Sequence, residues 1–256
     1  MNSLLRYLRI LLWVAVCTVV LGSFIVGSWY ESKRTPTRGE LQDISNISQN
    51  YSPAYNRAIK KSRMSAVRVL SFSEDNTVTS TTSGTYVENN GRYYIITTQH
   101  GILGPCEFVN IEFQDKTYAC KEYIKIDPLN DYAIIEIETS MENRIPIQIP
   151  ADLPNNYQWK SSYAILSNIV YTGYANALGP LTLRGDVIGY TDYNYLYVFS
   201  YAYGGASGSG VFSEKGKYMG YVTALDIGVT DFGVDVLENV VLVTPAHKID
   251  WDAISN

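Results

Sequence analysis

The sequence predicts an all-β chain of two packed antiparallel barrels, ending in a short helix and preceded by a membrane-crossing helix. Three observations lead there. Short, β-rich runs separated by turn residues recur from about residue 65 to residue 244. A proline-rich connection at 146–154 divides them into two sets. Residues 10–30, ILLWVAVCTVVLGSFIVGSWY, carry no charge, and a run of that length spans a bilayer as a helix.

Taken in order, residues 1–9 form a short tail and 10–30 the span. Trp13, Trp29 and Tyr30 lie near the ends of the span, where aromatic rings favour the interface. A cleaved signal peptide is the alternative, with Val26 and Ser28 as a weak cleavage pair. Lys and Arg are almost evenly placed on the two sides, so orientation rests on the span coming first. That puts the globular part on the non-cytoplasmic side of a single-pass membrane protein. Residues 31–64 are polar and read as a stalk, with a short helix near AYNRAIKKS.

The first barrel is expected over 65–148. AVRVLSF opens it. SGTYVENNGRYYIITT reads as a hairpin about Asn90-Gly91, the pair preferred by a type I′ turn. FVNIEF, TYACKEYIKI and YAIIEI follow. The second barrel is expected over 149–243, with strands at SYAIL, LTLRGDVIGY, LYVFSY, GVFSE, YMGYVTAL and NVVLVT. Thr244-Pro245 then reads as the start of a helix over 244–256, Thr as N-cap and Pro in the first turn.

Composition narrows the function. The chain has 256 residues, enough for one large domain or two packed lobes. Its 22 tyrosines suit the half-buried faces of strands. Net charge is −5 with no basic block, which argues against a nucleic-acid partner. Two histidines and no CxxC leave little for a metal, and no cofactor is expected. Cys106 and Cys120 flank a hairpin and read equally well as a disulfide or as two buried thiols.

Three stretches carry chemistry. IITTQHG places His100 just past a strand. DPLNDYAIIEI places Asp131 just before one, with Asp127 as the rival carboxylate. YAYGGASGSGVF surrounds Ser207 with small residues. A serine hydroxyl is a poor nucleophile at neutral pH until an imidazole takes its proton. A carboxylate on the other ring nitrogen fixes the tautomer and stabilises the imidazolium. The resulting oxyanion needs donors already in place, which backbone N–H groups in a tight turn supply. His247 is the other available base, in the expected terminal helix.

In these stretches the chain resembles the trypsin-like serine peptidases of the chymotrypsin fold, in the style of compact bacterial and viral members and of the HtrA protease domain. GTYVENNGRYYIITTQH, DPLNDYAIIEI and GGASGSGVF…GYVTA carry the likeness, with LTLRGDVIGY as the strand before the serine turn. The resemblance covers about residues 65–256. It implies two six-stranded barrels, with Ser207 as nucleophile, His100 as general base and Asp131 as the orienting carboxylate. It also implies an oxyanion hole from the N–H groups of Gly205 and Ser207. Thr223, Ala224 and Leu225 would pair with a peptide or protein substrate as an added strand. Tyr201 would lie at the bottom of the primary pocket, with Val222 and Leu225 near its walls, implying a neutral, apolar or small preferred residue. Ala206, Ser209 and Tyr132 depart from the commonest family residues without removing a catalytic group. A membrane-anchored serine endopeptidase is the expected function; a catalytically idle, membrane-tethered binding or scaffold protein is the alternative.

Overall fold

The computed structural model describes residues 47, 48, 50–113, 116–154, 159–174, 178–230 and 233–255, with backbone alone over 224–230 and 233–238. The uncharged run at 10–30 lies outside these residues. Among the described residues no helix is long and apolar enough to cross a membrane.

The first barrel is closed by six antiparallel strands: β1 (Ala66–Phe72), β2 (Val78–Asn89), β3 (Arg92–Thr97), β4 (Val109–Phe113), β5 (Lys116–Asp127) and β6 (Tyr132–Ile137). Around the barrel they run β1-β4-β5-β6-β3-β2 and back to β1. A short β7 (Ile147–Gln148) adds to β2 in parallel. The second barrel closes through β8 (Asn168–Gly173), β9 (Leu181–Tyr190), β10 (Leu196–Phe199), β11 (Gly210–Ser213), β12 (Tyr218–Thr230) and β13 (Gly233–Pro245), in the order β10-β13-β12-β11-β8-β9. The β2–β3 connection is the predicted two-residue turn: Asn90 and Gly91 have φ of 51° and 77°, the pair of positive values that type I′ requires.

Each barrel has its own apolar filling. Val67, Val69, Ile95, Ile111 and Ile135 fill the first; Ile169, Val187, Val198, Val211 and Val241 fill the second. A third cluster joins them through Ile96, Tyr132, Ile134, Phe212, Tyr221 and Trp251. Tyrosines are prominent here. Tyr86, Tyr94, Tyr132, Tyr171 and Tyr221 are fully buried on strands or at their ends, each an apolar ring with a polar tip.

Four sequence expectations are revised. The polar residues before the first barrel include α1 (Pro53–Ser65), which is packed on the barrels and not part of a free stalk. Ser52 caps it, its side chain accepting from the Tyr55 N–H at 3.2 Å, and Pro53 opens it. Tyr55, Ala58 and Ile59 are buried in the joint cluster. SYAIL is not a strand: Trp159–Ser162 is one helical turn, and Leu166 has φ 64°, incompatible with extended backbone. The strand of that region is β8. The terminal helix is replaced by two 3₁₀ turns, Ala246–Lys248 and Trp251–Ile254. Thr244 does not cap it, because its hydroxyl lies 2.6 Å from that of Thr223 inside the barrel.

Candidate active site

The two barrels meet along the stretches that carry chemistry. His100 follows β3, and Asp131 immediately precedes β6. These strands are neighbours in register, Thr97 opposite Ala133, so the barrel itself brings the two residues together. The Asp131 carboxylate takes two bonds from His100. The backbone N–H of His100 donates to Oδ1 at 2.9 Å, and Nδ1 lies 2.6 Å from Oδ2. This bidentate grip fixes both the backbone and the ring. It also raises the His100 pKa above the ordinary 6.5, the Asp131 hydrogen bond outweighing partial burial.

Asp131 holds a left-handed backbone, φ 54°. The turn before it explains how. Asp127 accepts the N–H groups of Leu129 and Asn130 at 2.9 and 3.0 Å, and its Oδ2 accepts from Asn130 Nδ2 at 3.0 Å. The rival carboxylate thus shapes the turn, and Asp131 is the one that meets His100. Tyr221, from β12 of the second barrel, donates its hydroxyl to the Asn130 carbonyl at 2.6 Å. His247 lies elsewhere, against the rings of Trp159 and Tyr163, with its pKa lowered by burial and by Lys248.

Ser207 sits in the tight connection into β11. The Ala206 N–H donates to the Tyr203 carbonyl at 2.9 Å, closing a four-residue turn. Gly205, its third residue, has φ 90°, while Gly204 is not left-handed. That combination is a type II turn, in which the third position is normally glycine. Among the described residues, neither the Gly205 nor the Ser207 N–H has an internal acceptor. Gly208 is needed for a different reason. At φ 85°, a Cβ there would lie 2.0 Å from the Ser83 carbonyl oxygen. The Ser207 hydroxyl donates to the Thr223 carbonyl at 3.1 Å, and no hydrogen bond joins it to His100 among the described residues.

The first barrel grips this turn through β2. Ser83 N–H and Thr82 Oγ1 both donate to the Ser207 carbonyl, at 2.8 and 2.5 Å, and Ser83 Oγ donates to the Gly205 carbonyl at 2.7 Å. Thr82 and Ser83 were not among the residues expected from sequence. Ser83 opens the SGTYVENNGRYYIITT hairpin and Thr82 directly precedes it, and nothing in a Thr-Thr-Ser-Gly run distinguishes a buried clamp from an ordinary strand.

Among the described residues no strand covers the second side of β12 along Thr223–Leu225, where the Thr223 carbonyl accepts the Ser207 hydroxyl. β13 pairs with one side of β12 over Val222, Ala224 and Leu225, with Thr223 at a bulge. On the other side, β11 pairs only with residues up to Tyr221, and the Gly208 N–H to Val222 carbonyl bond ends the contact. Val222 is buried in the second barrel, and the side chains of Ala224 and Leu225 lie outside the described residues. Tyr201 is 53% exposed rather than enclosed, its carbonyl accepting the Tyr171 hydroxyl. A polar surface cavity of about 630 Å³, between Lys116–Lys121 and Glu138–Glu142, involves none of these residues. Cys106 and Cys120 form a disulfide. No cluster able to hold a metal occurs among the described residues.

In solved structures, this chain is similar to a serine endoprotease from Yersinia pestis, with a TM-score of 0.59. The fold is that of the trypsin-like serine peptidases. The alignment covers 78% of this chain and 66% of that protein at 22% identity, so the chain spans about two thirds of the relative's length. No family model and no curated protein sequence matches it. His100 and Asp131 come from the first barrel, and Ser207 from the turn that leads into β11 of the second.

Proposed function

We propose that the protein is a serine endopeptidase that cleaves peptide bonds through Ser207, His100 and Asp131. The observation that carries this is the pair of hydrogen bonds between His100 and Asp131, together with a Ser207 turn whose Gly205 and Ser207 N–H groups have no acceptor among the described residues. In the first step the Ser207 hydroxyl swings from the Thr223 carbonyl to His100 Nε2 and attacks the substrate carbonyl carbon. Its proton passes to Nε2, and Asp131 stabilises the imidazolium. The carbonyl oxygen gains charge and is met by these two N–H groups. His100 then returns the proton to the leaving amine, giving an acyl-enzyme that water hydrolyses by the same route. The substrate lies along Thr223–Leu225 as an added strand, on the side of β12 that no strand covers among the described residues. A neutral or apolar residue precedes the cleaved bond, since no charged side chain is among those expected to line the pocket.

The uncharged run at 10–30 supports anchoring to a membrane. The disulfide supports an oxidising, non-cytoplasmic location for the peptidase part. One observation favours a second reading. The resting Ser207 hydroxyl is bonded to Thr223 and not to His100, as expected of an idle scaffold, although resting sites of active enzymes are also often loosely bonded. Digestion of a peptide library separates the two. Cleavage after neutral residues that ceases in Ser207→Ala is expected. No cleavage by folded wild type supports the scaffold, and a profile dominated by Arg, Lys or Glu contradicts the pocket reading.

A further inference from the structure

We propose that Ser83, assisted by Thr82, is a positioning residue for the oxyanion turn. The inference rests on the peptidase reading and names part of the machinery that makes it work. Ser83 lies on β2 of the first barrel and is fully buried. Its hydroxyl uses both of its roles at once. It donates to the Gly205 carbonyl at 2.7 Å and accepts the Tyr174 N–H at 2.8 Å. Its backbone N–H donates to the Ser207 carbonyl at 2.8 Å, where the Thr82 hydroxyl also donates at 2.5 Å. The Ser83 carbonyl is itself held by Thr97 Oγ1 at 2.7 Å.

The pattern has a geometric consequence. Among the described residues the Gly205 and Ser207 N–H groups have no internal acceptor, and the carbonyls of the same two residues are tied to Thr82 and Ser83. Fixing those carbonyls fixes the 205–206 and 207–208 peptide planes, which flank the plane that carries the Ser207 N–H. That middle plane is held by its own Ala206 carbonyl, which accepts the Ser209 N–H at 3.1 Å and the Ser209 hydroxyl at 2.6 Å. A glycine with φ 90° has little else to hold it, because it lacks the side chain that restricts other residues. Donors aimed in advance stabilise a developing charge without reorganising during the reaction. Gly208 contributes by absence, since any side chain there would strike the Ser83 carbonyl. The clamp also reaches toward the base within the first barrel: Thr82 Oγ1 lies 3.4 Å from Thr98 Oγ1, two residues before His100. The strand that steadies the nucleophile turn therefore also touches the segment carrying the base.

The test compares wild type, Ser83→Ala and Thr82→Val in steady-state hydrolysis of a neutral peptide substrate, with inhibition by a peptide boronic acid. The boronate forms a tetrahedral adduct on Ser207 and reports the oxyanion donors, whereas KM reports ground-state binding. Thermal melts establish that each variant is folded at the assay temperature. For Ser83→Ala we expect kcat to fall on the order of 10- to 100-fold with KM nearly unchanged, and boronate affinity to fall in parallel. Thr82→Val is expected to show the same split with a smaller loss, and it carries the test if Ser83→Ala does not fold. Unchanged kcat in the folded variants, or a loss of kcat with boronate affinity intact, overturns the clamp alone. A wild type that neither hydrolyses the peptide nor binds the boronate overturns the peptidase reading, and the clamp with it.

Discussion

Asp131 does two things to His100, and they separate experimentally. It orients the ring through Nδ1, and it raises the imidazole pKa above 6.5. A general base works only when neutral, so the acidic limb of the rate profile should lie above that value. In Asp131→Asn the limb should move to lower pH, while the plateau rate falls on the order of 10³- to 10⁴-fold through loss of the correct tautomer. Rate profiles of kcat/KM for the two proteins check both. The same shift has a sign for stability. A folded-state pKa raised above the unfolded one contributes stability below the unfolded pKa, and that contribution is lost as pH rises through the folded value. At this scale the sequence offered His100, Asp131 and Ser207 as candidates, because histidine is rare in the chain and the aspartate and serine sit in distinctive settings; the structure joins His100 to Asp131 and sets Ser207 in a tight turn. It was silent on Ser83, whose burial and partners more than 90 residues away exist only after the barrels pack.

At the scale of elements, legibility followed local chemistry. The β2–β3 hairpin was readable because Asn90-Gly91 specifies its turn. β8 was missed because its residues are buried almost without interruption, leaving no alternation to read. Thr244-Pro245 carries a helix-start signal, yet Thr244 is buried in hydroxyl contact with Thr223 and Pro245 ends a strand in extended geometry. The cysteines were ambiguous until the strands placed them. Cys106 lies in the 3₁₀ turn before β4 and Cys120 on β5, 5.4 Å apart between Cα atoms. Their bridge spans a sequence separation of 14, and a loop of that size restricts the unfolded chain by about 3 kcal/mol. Replacing both cysteines by alanine should lower the melting temperature, with serine reactivity retained in the folded protein. An unchanged melting temperature would show that the bridge contributes nothing to stability.

At the scale of the whole molecule, the junction between barrels is where fold and site coincide. Tyr221 to Asn130, Tyr195 to Leu129, and Lys248 to Tyr193 all cross or border it, and two of these bonds end on the turn that delivers Asp131. The helix before the first barrel belongs to the same structure. Tyr55 donates to the Ile169 carbonyl at 3.1 Å, and Arg144, in the connection between the barrels, donates to the Arg63 and Ala66 carbonyls at the other end of the helix. Residues 53–65 are thus an integral strut whose polar composition concealed one apolar face. Ile59→Ala should destabilise the protein by about 2–5 kcal/mol in denaturant melts. A cost near zero would mean that the helix is only loosely seated.

The most direct measurement of the central claim is covalent labelling by a fluorophosphonate, with the modified residue located by mass spectrometry. Wild type should carry the adduct on Ser207, and both Ser207→Ala and His100→Ala should lose it. Folded wild type that remains unlabelled, or an adduct on another residue, would contradict the account.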